Sequence, residues 1–72
     1  MKITVIGAGS WGTALAIHFS LHGHPVSIWA RNREQMAAMQ NERENQRYLP
    51  GFPFPDNLTE HTELTDALEG SE

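Results

Sequence analysis

The chain has 72 residues, no cysteine and a formal net charge of −4. That length allows one small domain at most, with a core that is marginal without a staple, and the lack of cysteine excludes disulfides and thiolate metal sites. The acidic balance argues against a general nucleic-acid binder. No apolar run reaches the length of a membrane span, and the short apolar stretch after Lys2 ends at Gly7, too soon for a signal peptide, so a cytoplasmic location is expected.

Residues 2–6 form a short run rich in β-branched side chains that stops at glycine, the pattern of a buried strand. Residues 12–22 carry Ala14, Leu15, Ile17, His18, Phe19 and Leu21 at offsets that suit a helix with one broad apolar side. Gly23 follows as a residue that can end the helix in the left-handed conformation. Residues 25–29 are a second strand-like run. The strand-to-strand unit is about 28 residues long, as in a compact βαβ unit, and the right-handed crossover rule makes its strands parallel. Asn32 is placed to cap a helix over residues 33–40, with Glu44 as its furthest extent and Gln35 in the capping-box position. Met36 and Met39, with Ala37 and Ala38, supply its apolar stripe and are expected in the core. Residues 45–56 read as loop, because Pro50, Pro53 and Pro55 exclude regular helix or a central strand. Residues 58–62 suit a short third strand, and residues 65–68 the start of a helix capped by Thr62 or Thr65. Nothing in Gly70, Ser71 and Glu72 closes a fold, so the chain is expected to be a piece of a longer protein.

The chemistry lies in Gly7-Ala8-Gly9-Ser10-Trp11-Gly12, a G-x-G-x-x-G with a strand directly before it and a helix directly after. Gly7 permits the tight turn off the strand. Gly9 lets the backbone approach a pyrophosphate, and Gly12 allows close helix–sheet packing. The free N–H groups and the dipole of the helix start favour the phosphates. Ser10 can add a hydroxyl donor, and Trp11 can cover a cofactor or pack under the domain. A nucleoside-triphosphate P-loop is excluded, since no Gly-Lys-Ser/Thr ending is present. NAD binders usually place Asp or Glu at the end of the second strand to hold the ribose 2′-OH. Here Ala30 and Arg31 stand there, and an arginine pairs with a 2′-phosphate. NADP or NAD is therefore expected as cofactor, with NADP favoured and Arg33 able to assist; the missing acid also counts against FAD. The fold class is α/β, a partial Rossmann fold with flanking helices and a parallel sheet of strand order 3-2-1. In the complete sheet the first strand is expected to be central, its other side filled by strands beyond this segment.

Other residues carry less. His18 and His22 are four apart on a helix but lack a third ligand, so the histidines, with His24 and His61, are read as surface or packing residues and no metal site is assigned. Glu60, Glu63, Asp66 and Glu69 alternate with apolar residues and read as a solvated face. No nucleophile–base pair is evident.

The block from Lys2 to Ala16, with Ser10-Trp11-Gly12-Thr13-Ala14 at its centre, the Gly23-His24-Pro25-Val26 turn, Trp29-Ala30-Arg31, and the later Asn45-x-x-Tyr48-Leu49-Pro50-Gly51 resemble bacterial NAD(P)-dependent glycerol-3-phosphate dehydrogenases over nearly the whole chain. The resemblance implies reversible hydride transfer between NAD(P)H and the carbonyl of dihydroxyacetone phosphate, giving sn-glycerol 3-phosphate for phospholipid synthesis. It also implies that Ser10, Trp11, Arg31 and Tyr48 contact the cofactor. In the family the catalytic lysines, the substrate phosphate site and a helical substrate domain lie further along, so residues 1–72 are expected to be the N-terminal part of the NAD(P)-binding domain and inactive alone. Two alternatives stand beside this reading: another NAD(P)-dependent hydroxy-compound dehydrogenase, and a non-catalytic dinucleotide sensor. An open edge on the first strand is expected to leave the isolated chain loosely folded or self-associating.

Overall fold

A computed structural model describes residues 2–69. The elements run β1 (Ile3–Ile6), α1 (Ser10–Leu21), β2 (Val26–Trp29), α2 (Arg33–Glu42), β3 (Leu58–Glu60) and α3 (Leu64–Leu68). The strands form one parallel sheet in the order β1-β2-β3, with Ile3 opposite Val26 and Val26 opposite Leu58. This is the expected α/β, Rossmann-like arrangement. Among the described residues β1 is an edge strand. β2 lies between two neighbours and is buried at Val26, Ser27 and Ile28 in succession, as a central parallel strand covered on both faces should be. One cluster makes the core: Ala8, Ala16, Ile17, Val26, Ile28, Met36, Met39, Phe54 and Leu58. The two methionines of α2 are buried, as the apolar stripe predicts, and the proline-rich loop contributes Phe54.

Helix α1 starts at Ser10, two residues before the expected start, with Gly9 as its N-cap. Its C-terminus is a Schellman turn. Gly23 has φ +90°, its N–H donates to Ser20 O at 3.1 Å, and the His24 N–H donates to Phe19 O at 3.2 Å. Asn57 adds two further ties, donating from Nδ2 to Ser20 O and His24 O at 2.8 Å each. Thr13, Ala16, Ile17 and Ser20 face the sheet, whereas Leu15 and Leu21 are exposed, Leu21 at 70%. The broad apolar side of this helix is thus only half covered by the described residues.

Helix α2 begins as predicted, with Asn32 Oδ1 accepting from Gln35 N at 3.0 Å. The reciprocal half of the capping box is absent, because the Gln35 amide reaches across to Ala8 instead. The helix ends at Arg43, a non-glycine residue at φ 56°. That conformation costs an L-residue about 1–2 kcal/mol, and three contacts of Arg43 offset it. Its guanidinium donates to Glu60 Oε1 at 2.6 Å and to Pro55 O at 2.8 Å, and its carbonyl accepts from Phe54 N at 2.6 Å. Glu60 corrects an expectation: it is 5% exposed rather than solvated, and a carboxylate is retained there because Arg43 supplies the opposite charge. Glu63, Asp66 and Glu69 are exposed as expected. Glu63 pairs with Arg33 in the open, a contact of small energetic weight.

The third strand stops at Glu60, short of Thr62, and α3 starts one residue early. Neither threonine caps α3. Glu63 holds the N-cap position without a side-chain bond, and the Thr62 carbonyl accepts the Trp29 indole N–H at 3.2 Å. Gly70, Ser71 and Glu72 lie outside the described residues.

Candidate functional site

The glycine-rich segment leaves β1 beside the end of β2, where the Gly7 N–H donates to Trp29 O at 2.7 Å. Gly7 has φ +115°, a conformation that only glycine adopts cheaply. Gly12 is glycine for a different reason. A Cβ there stands 2.1 Å from the Gly7 carbonyl oxygen, so the first turn of α1 rests directly on the loop backbone. Gly9 has neither constraint. Its φ is −76°, and a Cβ on it meets nothing within 4 Å. Packing among the described residues therefore gives no reason for glycine at this position, whereas a ligand drawn against the backbone would.

The start of α1 suits an anion. Its first intrahelical bond is Thr13 N to Gly9 O, so the preceding N–H groups are left over. No side chain caps the helix and no acid sits in its first turn. By contrast, the groove between α2 and residues 44–47 is lined by Glu34, Glu42 and Glu44 against one cation, Arg47, a net negative lining unsuited to a phosphate.

Two of the predicted groups are brought together here. Ser10 Oγ donates to the Tyr48 carbonyl at 2.7 Å, pinning the Tyr48 loop over the helix start. The Tyr48 ring is partly exposed, with the Arg47 guanidinium carbon 5.3 Å from its centroid. The Ser10 hydroxyl is thus committed as a donor within the protein. Trp11 is 81% exposed, so it does not pack under the domain among the described residues. Arg31 follows β2, two residues past the Trp29 carbonyl that holds Gly7, and is exposed without an ion-pair partner among the described residues. Arg33 is engaged by Glu63.

Sequence reasoning gave no role to Asn45. It is 1% exposed and donates from Nδ2 to Ala8 O at 2.7 Å and to Thr13 Oγ1 at 2.8 Å. Its Oδ1 accepts from Tyr48 N at 3.3 Å. Gln35 Nε2 reaches the same Ala8 carbonyl at 3.0 Å. The only signal for Asn45 was its place at the head of the Tyr48-Leu49-Pro50-Gly51 block. Among the described residues no group of three His, Cys, Asp or Glu could hold a metal ion. The His18 and His22 rings lie 4.3 Å apart, with His22 Nδ1 against the His18 carbonyl at 2.8 Å.

A family model described as the N-terminus of NAD-dependent glycerol-3-phosphate dehydrogenase matches residues 2–72. The chain belongs to this family. Among its glycerol-3-phosphate dehydrogenase relatives, the NAD(P)+ enzyme of Neisseria meningitidis is 63% identical over 71 residues, 99% of this chain and 22% of the relative. The corresponding enzyme of Stenotrophomonas maltophilia is 51% identical over 70 residues, 97% of this chain and 20% of the relative. The crystal structure of glycerol-3-phosphate dehydrogenase from Coxiella burnetii superposes with a TM-score of 0.95 at 43% identity, covering 97% of this chain and 22% of that one. The segment therefore spans about a fifth of the length of the glycerol-3-phosphate dehydrogenases it matches.

Proposed function

We propose that this segment is the nucleotide-anchoring first part of an NAD(P)-binding domain, in a cytoplasmic enzyme that interconverts dihydroxyacetone phosphate and sn-glycerol 3-phosphate for phospholipid precursor synthesis. The observation that carries the reading is Gly9, a glycine in ordinary backbone geometry with open space where its Cβ would be, at the uncapped start of α1. Family membership supports the same reading, since the relatives are NAD(P)+ enzymes by name.

Bound NAD(P)H supplies the hydride for the carbonyl carbon. This chain's residues bind and orient: the leftover N–H groups of α1 take the pyrophosphate, and Arg31 takes the adenosine side. Reduction also needs a proton for the developing alkoxide. The chain's single lysine, Lys2, precedes β1 and so stands at the opposite end of that strand from the glycine loop. The resemblance to glycerol-3-phosphate dehydrogenases implies that the general acid and the substrate site belong to a helical substrate domain further along, and residues 1–72 alone are expected to turn over nothing. Dihydroxyacetone-phosphate-dependent NADPH oxidation by the full gene product is the test; its absence would sink the reading.

Arg31 sets the expected preference for NADP. It is exposed and has no ion-pair partner among the described residues, so a 2′-phosphate would gain a cation without breaking an ion pair there. Arg31→Ala should weaken NADPH binding by about tenfold, the low end for hydrogen bonds to charged groups at an open site, and leave NADH affinity nearly unchanged. Parallel calorimetric titrations check this, and an equal loss for both nucleotides removes the assigned role.

Alone, the segment should self-associate. β1 is an edge strand ending in an exposed Ile6, and Trp11, Leu15 and Leu21 are exposed on the adjoining helix. Sedimentation velocity should show species that grow with concentration. A monomer at every concentration, melting in one sharp transition, refutes it.

A further inference from the structure

The carbonyl of Ala8 is buried and doubly occupied. Asn45 Nδ2 donates to it at 2.7 Å and Gln35 Nε2 at 3.0 Å, filling both lone pairs. Both donors come from far along the chain. The Asn45 amide has one workable orientation, because its Nδ2 serves Ala8 and Thr13 while its Oδ1 accepts from Tyr48 N. A flipped amide sets oxygen against the Ala8 oxygen.

The same peptide group carries the Gly9 N–H. All peptides of the described chain are trans, and across a trans peptide the C=O and N–H point in opposite directions. A carbonyl held inward by two amides therefore aims the Gly9 N–H outward. Gly9 is exposed, and its N–H has no protein acceptor among the described residues. The need for such a clamp follows from the glycine itself. With no Cβ, Gly9 tolerates positive φ as readily as negative φ, so rotation of the Ala8–Gly9 peptide meets little steric resistance. The residue that opens room for a ligand also frees its own peptide to turn the wrong way.

We propose that Asn45 and Gln35 are positioning residues for the dinucleotide: their side-chain amides lock the Ala8–Gly9 peptide so that the Gly9 N–H faces the pyrophosphate. This rests on the nucleotide-binding reading above. Neither side chain touches the ligand. Asn45 also bonds Thr13, so the peptide is held in register with the first turn of α1.

The test compares two ligands on the full gene product. NADPH carries the pyrophosphate, whereas adenosine 2′-monophosphate lacks it and probes only the adenosine side. Gln35→Met keeps length and helix propensity but removes the donor. It should weaken NADPH by about 3- to 10-fold, one net hydrogen bond's worth, leave adenosine 2′-monophosphate affinity unchanged, and lower the nucleotide-free melting temperature by no more than about 4 °C. Asn45→Ala should show the same ligand bias with a larger NADPH effect and a lower melting temperature, since the Thr13 hydroxyl and the Tyr48 N–H also lose their bonds to Asn45. Equal weakening of both ligands means that the amides merely support the fold, and unchanged NADPH binding in Gln35→Met means that the peptide needs no clamp; either overturns the proposal. A wild-type protein that binds neither ligand overturns the nucleotide reading, and the proposal with it.

Discussion

Gly12→Ala should destabilise the chain by about 3 kcal/mol or more, enough to take a marginal domain of this size close to unfolding. Two effects oppose each other at this site. Replacing glycine by alanine in a helix normally helps, by up to about 1 kcal/mol and less in the first turn. Against that, the new Cβ stands 2.1 Å from the Gly7 oxygen and 3.2 Å from the Gly7 carbonyl carbon, in contact with backbone that cannot rotate away. Relief needs helix and loop to part by roughly 1 Å, since Cβ contacts under 3.0 Å essentially do not occur. Neither side is free to move. Gly7 is tied to Trp29 O at 2.7 Å, and the facing side of α1 is buried at Thr13, Ala16 and Ile17. The clash therefore outweighs the propensity gain. At about 2–4 °C per kcal/mol for a larger domain, the melting temperature of the full-length protein should fall by more than about 6 °C. Thermal melts followed by circular dichroism check this; a change within about 2 °C would show that the loop yields easily.

The sheet and its helices were legible because they rest on local patterns. The β-branched runs before Gly7 and before Ala30, and the Asn32 cap with its apolar Met36 and Met39, all read correctly. So did the αL turn at Gly23. What escaped was set by long-range partners. Glu60 sits among other acids and reads as solvated; its burial depends on Arg43, 17 residues earlier, folded back by a left-handed turn that no glycine announces. Gln35 has the spacing of a capping box, yet its amide finds the Ala8 carbonyl 27 residues away. Asn45 reads as loop because its contacts with Ala8 and Thr13 span 37 and 32 residues. The sequence does not mark the true start of α1 because Gly9 offers no capping side chain. Leu15 and Leu21 lie on the apolar side that periodicity reveals, but periodicity does not reveal how much of that side is covered.

Gly9→Val should do the reverse of Gly12→Ala: it should leave the fold nearly intact and abolish tight nucleotide binding. At φ −76° and ψ −173° the backbone suits a β-branched residue, and nothing lies within 4 Å of the added Cβ. The loss of a glycine N-cap costs at most about 1 kcal/mol. The two added methyl groups, however, fill the space through which, on the proposed reading, a pyrophosphate would reach the N–H groups of α1. Forcing that much bulk into a packed contact costs about 1–3 kcal/mol, so affinity for NADPH should fall by about 10- to 100-fold. Adenosine 2′-monophosphate, which has no pyrophosphate to be displaced, should bind as before. Melting curves and titrations on the same full-length preparation separate the two effects. Were Gly9→Val to bind NADPH like wild type, the pyrophosphate would have to lie elsewhere, and the open space beside Gly9 would lose its meaning as a ligand site. A variant that instead melted as badly as Gly12→Ala would show that Gly9 serves the fold after all. On the proposed reading, the two glycines divide the motif between a packing requirement that the unliganded chain already expresses and a spatial one that a bound nucleotide would make necessary.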